Sequence, residues 1–256
     1  MKTIAFRKLG VKPLLSPTSF EIPMQSVLGV YGPNGSGKST LLKAFSGIRE
    51  DHEVQGEVWI ENQLIHSEMT AFEKAKWVLY LSSDFDTPFQ VTVRDLLEMG
   101  AKARSADLWP EITHAERTRM SEVIEVLGLI PFLSRTISTL SDGERQLVMF
   151  ARGLIQMPKV LVLDETFSKM DLDRLLQLAK VIEAYREKGM TFIIVAHDLN
   201  FLSEVSTQLL LMKASQVLSL GTVSEVLTPL NLQILYPQQS IQIVKSAESG
   251  KTKILY

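Results

Sequence analysis

Short, unbroken apolar runs alternate along this chain with stretches in which apolar residues recur every three or four positions. Val160–Leu163 and Thr191–Ala196 are runs of the first kind, the pattern of strands buried on both faces in a parallel sheet. Between them, the segment from Leu172 to about Lys188 is amphipathic at helical spacing and ends at Gly189. Strand, helix and strand in that order predict a parallel βαβ unit. Thr3–Leu9 and Ser26–Tyr31 read as earlier strands, with a turn-rich stretch around Pro13 and Pro17 between them. Glu57–Ile60 and Trp77–Leu81 add two more, on their β-branched and aromatic content.

The rhythm changes between Ser82 and Thr139. Thr92 and Asp95 form a capping-box pattern ahead of Leu96, Leu97 and Met99. Met120, Val123, Ile124 and Leu127 then recur at helical spacing before Gly128, a residue suited to a helix end. The stretch is expected to be a mostly helical insertion. A longer amphipathic helix follows from Ser141 to Met157, with Leu147, Phe150, Ala151 and Leu154 on one face and Pro158 as its stop. The tail predicts a helix around Val223–Leu227 and two strands, Ile241–Val244 and Thr252–Leu255, joined through Ser246–Gly250.

Composition removes several classes of function. The 256 residues are 45% hydrophobic and 22% charged, an ordinary balance for a globular protein. A net charge of −2 argues against a nucleic-acid partner, which would require a basic face. The absence of cysteine excludes disulfides and thiolate chemistry. No apolar run nears the roughly 20 residues that span a bilayer, and Met1–Gly10 has no signal-peptide core behind it. A cytosolic protein, or one held at a membrane by a partner, is expected.

The chemistry begins at Gly32-Pro33-Asn34-Gly35-Ser36-Gly37-Lys38-Ser39-Thr40, which matches G-x-x-x-x-G-K-[ST] between a strand and a helix. Glycines let backbone N–H groups converge on phosphates, and the helix N-terminus adds favourable partial charge. Lys38 suits the β- and γ-phosphates and the Ser39 hydroxyl suits Mg²⁺. A second constellation closes the run Val160-Leu161-Val162-Leu163 with Asp164 and Glu165. Asp164 fits a role on Mg²⁺, and Glu165 that of a general base for an attacking water. Two solvated acids at a strand end are the bland alternative. His197 ends the next apolar run, where a histidine is structural unless it reaches a γ-phosphate.

Leu140-Ser141-Asp142-Gly143-Glu144-Arg145-Gln146 opens the long helix. As local structure it is a capping box, Ser141 with Glu144 three residues on. It also resembles the LSGGQ signature of ABC ATPases, and the whole chain resembles an ABC transporter ATP-binding subunit. Gly32–Thr40 looks like Walker A, Val160–Glu165 like Walker B, and Ser168-Lys169-Met170-Asp171 like the D-loop. His197 stands at the switch-histidine position. More narrowly, Tyr80 to Gly100, with Pro88-Phe89 and Thr92-Val93-Arg94, and the tail Val226–Leu232 are similar to the ATPases of importers for iron–siderophore complexes, haem and vitamin B12.

The resemblance implies an α/β fold: a P-loop NTPase core with a mainly parallel sheet, N-terminal antiparallel strands and an inserted helical subdomain. Its boundaries would be a single ABC ATPase domain over 1–256, with the core at about 1–83 and 140–221, the insertion at about 84–139 and a C-terminal extension at about 222–256. It implies ATP and Mg²⁺ as cofactors, the metal side being Ser39, Asp164 and Ser83. Ser141, Gly143 and Asp171 would face the nucleotide held by a second copy, so that two chains close on ATP. Lys38, Glu165 and His197 would carry the hydrolysis. The partners implied are a transmembrane permease, met by roughly Asp84 to Gly100, and a substrate-binding protein, placing the chain peripherally on the cytoplasmic face of the inner membrane. Two other readings stay open: a soluble ABC ATPase without a permease, and an ATP-binding regulatory subunit with weak hydrolysis.

Three positions depart from the family pattern. Ser83 stands where a glutamine is expected, which implies slower hydrolysis or coupling. Asp142 replaces a signature glycine and adds a negative charge beside a triphosphate unless its carboxylate turns away. Leu9 falls about where an aromatic ring would stack on adenine, leaving less stacking energy.

Overall fold

The computed structural model describes residues 2–48, 54–65, 68–83, 90–105, 111–238, 242–245 and 252–255. Strands β1 (Thr3–Val11), β2 (Leu15–Pro23) and β3 (Val27–Tyr31) come first, then α1 (Lys38–Phe45), β4 (Val54–Ile60), β5 (Gln63–Ile65), α2 (Ala71–Trp77) and β6 (Val78–Ser82). Helices α3 (Val93–Lys102), α4 (His114–Val126) and α5 (Asp142–Gln156) follow, with short 3-10 turns at Ile130–Phe132 and Ile137–Thr139. The chain continues through β7 (Val160–Asp164), α6 (Leu172–Glu187), β8 (Thr191–Val195), α7 (Leu199–Val205), β9 (Gln208–Lys213) and β10 (Gln216–Thr222). It ends with α8 (Val223–Val226), α9 (Pro229–Leu235) and the hairpin β11 (Gln242–Lys245) and β12 (Thr252–Leu255).

Two sheets carry the architecture. A four-stranded antiparallel sheet runs in the order β2-β1-β4-β5, and a six-stranded sheet in the order β10-β9-β3-β8-β7-β6. In the larger sheet all neighbours from β9 to β6 are parallel, and β10 adds an antiparallel edge. Alternation along its strands divides the core. Leu161, Leu163, Phe192, Ile194, Leu209 and Leu211 pack on the side of α5, α6 and α7, whereas Val160, Val162, Ile193, Val195, Leu210 and Met212 pack against α1 and the antiparallel sheet. Both faces are covered, which is why these strands read as continuous apolar runs.

The helices of the insertion behave as their sequence patterns predict. Thr92 caps α3 in a reciprocal box with Asp95, and Gly128 follows α4 with φ 65°, the left-handed turn that favours glycine. The α4 N-terminus has its own box, Thr113 with Glu116. Two readings need correction. Pro17 lies within β2 rather than in a turn: β2 is an edge strand, where a residue without an N–H is tolerated, and the turn is confined to residues 12–14. Trp77 ends α2, which starts from a Thr70–Glu73 box, so β6 begins one residue later. Helices α2, α7 and α9 and strands β2, β5, β9 and β10 are additions to the sequence reading. Pro88, Phe89, Ile241 and Ser246–Gly250 lie outside the described residues.

Removing the cap hydroxyl of α3 with Thr92→Ala is expected to cost about 1 kcal/mol in chemical denaturation at neutral pH. Hydrogen bonds from the Thr92 side chain and backbone hold the Asp95 carboxyl below its ordinary 3.8. A depressed carboxyl stabilises the fold above its unfolded value and loses that contribution as pH falls through the folded one. The gap between wild type and T92A should therefore narrow below about pH 4; a gap that widens there would refute the box as its source.

Candidate active site

The carboxyl ends of the parallel strands form one edge, as open α/β sheets arrange their ligand sites. Register is given by a lateral row in which Val30 pairs with Val195, Val195 with Asp164 and Asp164 with Ser82. Each chemical group identified in Walker A, in Walker B and at His197 lies on or just beyond this row.

From β3 the chain enters the glycine loop. A Cβ on Gly32 would stand 2.2 Å from the Met212 carbonyl oxygen, so only glycine lets the loop lie against β9. Gly37 adopts φ 95° and starts α1 without any side-chain cap, and no acid occupies the first helical turn. The early N–H groups of α1 thus have no side-chain acceptor and suit an anion. Ser36 Oγ is buried with no hydrogen-bond partner in the same loop. The Lys38 ammonium donates to the carbonyls of Gly32 at 2.8 Å and Pro33 at 3.1 Å. Burial pushes its pKa below the ordinary lysine value, against the opposing pull of Glu165 and Asp164. A bound polyphosphate would compensate the buried charge directly.

Ser39 Oγ donates to Asp164 Oδ1 at 3.2 Å, joining the loop helix to the end of β7. Asp164 is only 6% exposed. Its other oxygen accepts from the Tyr80 hydroxyl at 2.6 Å, a contact absent from the sequence reading. One carboxylate and one hydroxyl converging here suit a hard cation such as Mg²⁺. Among the described residues no cluster of three or more His, Cys, Asp or Glu could hold a metal, so a cation would draw further oxygens from the nucleotide. Ser83 donates its backbone N–H to the Asp164 carbonyl at 3.2 Å.

Glu165 sits at φ 54°, a left-handed conformation that costs a non-glycine residue about 1–3 kcal/mol. Its N–H is tied to the Val195 carbonyl at 3.1 Å. The turn delivers its carboxylate to His197, whose Nε2 lies 3.0 Å from Glu165 Oε1. Both line a cavity of about 210 Å³ with Ser168, Met170 and Asp198. The two acids at the end of β7 are therefore separated in role by backbone geometry: Asp164 faces Ser39, Glu165 faces His197.

Ser141 and Glu144 form the expected box at the start of α5, with Ser141 N donating to Glu144 Oε2 at 2.7 Å. The Asp142 carboxylate leans along its own helix to Arg145, 3.9 Å away. Gly143 faces the carbonyl of Lys169, which a Cβ would approach to 3.3 Å. Asp171 caps α6 by accepting from Arg174 N at 2.8 Å. The hydrogen bonds of Ser141 and Asp171 among the described residues are thus made within their own helix starts, not with Gly32–Thr40. Leu9 is 1% exposed and packs in the core with Phe6 and Val11, so it offers no face to an adenine ring.

A glycine loop opening an uncapped helix, beside a carboxylate at the end of a parallel strand one place removed across β8, defines a P-loop nucleotide-binding ATPase. Residues 15–168 match the ABC transporter family. The chain is 32% identical over 260 residues to the vitamin B12 import ATP-binding protein BtuD of Vibrio atlanticus, covering 99% of each. It is 29% identical over 256 residues to the iron(3+)-hydroxamate import ATP-binding protein FhuC of Bacillus subtilis, covering 98% of this chain and 93% of that one. The fold matches the ADP conformation of MJ1267, an ATP-binding cassette of an ABC transporter, with TM-score 0.76 at 23% identity over 93% of this chain and 100% of the other. It also matches a structure described as an inward-facing metal-chelate type ABC transporter, with TM-score 0.80 at 23% identity over 100% and 97% of the two chains. The chain belongs to the ABC transporter family and is one of its ATPases, in which ATP hydrolysis drives transport.

Gly32→Ala forces a methyl group onto the Met212 carbonyl. It is expected to cost about 1–3 kcal/mol of stability and to weaken ATP binding, read by denaturation and by titration with a fluorescent ATP analogue. Wild-type affinity in a folded G32A would refute the packing argument.

Proposed function

We propose that two copies of this chain close on ATP and Mg²⁺ and energise a membrane permease that imports an iron complex, haem or corrinoid. The observation that carries the ATPase reading is the uncapped start of α1 beside Asp164. Support for the cargo class comes from the relatives, whose names specify vitamin B12 and iron-hydroxamate import. Among the described residues no helix is long and apolar enough to cross a membrane, and in this reading the permease supplies the translocation path.

In this reading Lys38 and the α1 N–H groups hold the phosphates, and Ser39 and Asp164 hold Mg²⁺, which neutralises phosphate charge when bound. Ser83, one residue past the end of β6, would act on the cation through water. Glu165 accepts the proton of the attacking water, and for this its carboxylate must exchange the bond to His197 for one to water. His197 is then released to meet the γ-phosphate. Gly143 and the exposed Ser141 and Asp171 face the nucleotide of the second copy. Asp142 is compatible with this because its carboxylate turns along α5 towards Arg145.

Glu165→Gln should keep ATP binding and lower steady-state phosphate release by about a hundredfold or more; rates equal to wild type would favour the weakly hydrolysing regulatory subunit. Lys38→Ala should greatly weaken ATP binding and abolish transport, and normal uptake by that variant would overturn the mechanism. Co-purification of a membrane protein with the tagged chain separates the permease reading from that of a soluble ATPase, which would bring none down.

A further inference from the structure

Tyr80 lies on β6 two residues before Ser82, the residue whose Cα pairs with Asp164. The two-residue repeat of a strand puts Tyr80 and Ser82 on one face, and Tyr80 packs there against the core beneath α1 and the antiparallel sheet. Its hydroxyl donates to Asp164 Oδ2 at 2.6 Å while Ser39 Oγ donates to Oδ1 at 3.2 Å. The end of β6 therefore grips Asp164 twice, by the Tyr80 side chain and by the backbone N–H of Ser83 on the Asp164 carbonyl. Each carboxylate oxygen meets a hydroxyl from a different element, one from the phosphate-loop helix and one from the neighbouring strand.

We propose that Tyr80 is a positioning residue for the cation site: by holding Oδ2 it fixes the rotation of the Asp164 carboxylate and presents Oδ1 beside Ser39. The inference rests on the Mg²⁺ reading above. A hydrogen bond to an ionised carboxylate is among the stronger kinds, and a buried oxygen deprived of its donor is left with a desolvation cost. Groups that orient a metal ligand in this way typically change metal affinity by about 10–100-fold. The tyrosine brings no charge of its own, so it steers the carboxylate without competing with a cation.

Tyr80→Phe removes one oxygen and keeps the ring. Binding of a fluorescent ATP analogue to the purified chain, titrated with MgCl₂ and separately in EDTA, reads the effect. The expected result is a Mg²⁺ requirement about tenfold higher in Y80F, with affinity in EDTA unchanged. A Mg²⁺ response superimposed on wild type overturns the assignment, as does an equal loss of affinity with and without Mg²⁺, the mark of lost packing alone. A wild type whose binding ignores Mg²⁺ overturns the metal reading and this inference with it. Tyr80→Met, apolar and adaptable, gives the same comparison if Y80F does not fold.

Discussion

The register of the parallel sheet is the constraint on which the site depends. Val30, Val195, Asp164 and Ser82 lie side by side, and Gly32, His197, Glu165 and Ser83 each follow that row by one or two residues. Slipping β7 by one position would exchange the two faces of the strand. Val162 would then enter the core beneath α5, and Asp164 would turn away from Ser39. The hydrophobic division of Val160 and Val162 from Leu161 and Leu163 opposes that slip, because both sets are fully buried on opposite faces. The same alternation that assembles the core thus aims the carboxylate.

How much of this was legible in the sequence depended on whether a feature is local. The glycine loop, the apolar run before Asp164 and the capping boxes of α3 and α5 are contiguous, and each stands as its pattern predicts. The hydrogen bond from Tyr80 to Asp164 spans 84 residues and needs the knowledge that β6 borders β7. Given that order, the two-residue repeat from Ser82 would have found it. Leu9 shows the converse: alignment placed it near a base, but the irregular register of β1 between Phe6 and Val11 turns it into the core. Pro17 misled for a simpler reason, since an edge strand tolerates a proline wherever the ladder requires no N–H.

Charge in the site is balanced between groups rather than cancelled by fixed pairs. Lys38 is buried and held by two carbonyls, and burial lowers its pKa although two carboxylates oppose the shift. Glu165 is bonded to His197 and Asp164 to two hydroxyls. Lys38 therefore keeps no direct carboxylate bond among these contacts, and an incoming polyphosphate need not break a salt bridge to reach it. The structure keeps cation and anions near enough to stabilise one another and far enough apart to admit phosphate.

Two departures from ordinary local rules meet at this edge. Helices α2 to α7 and α9 begin with a side chain accepting from their first N–H groups, whereas α1 begins at Gly37 with none. Glu165, next to the row, holds a left-handed backbone that almost any turn would give to glycine. Neither feature helps the fold: a glycine in place of an accepting cap residue forgoes a few tenths of a kcal/mol, and the strained turn costs about 1–3 kcal/mol. Both make sense when a ligand supplies what the chain withholds, acceptors for the α1 N–H groups and a reason to separate Glu165 from Asp164. A glycine at 165 would relieve the backbone and remove the carboxylate; any side chain at 37 would be strained at φ 95°, and an acidic one would repel phosphate. Stability is forgone at Glu165, and the α1 N–H groups are left open after Gly37, because binding and cleaving a triphosphate needs both.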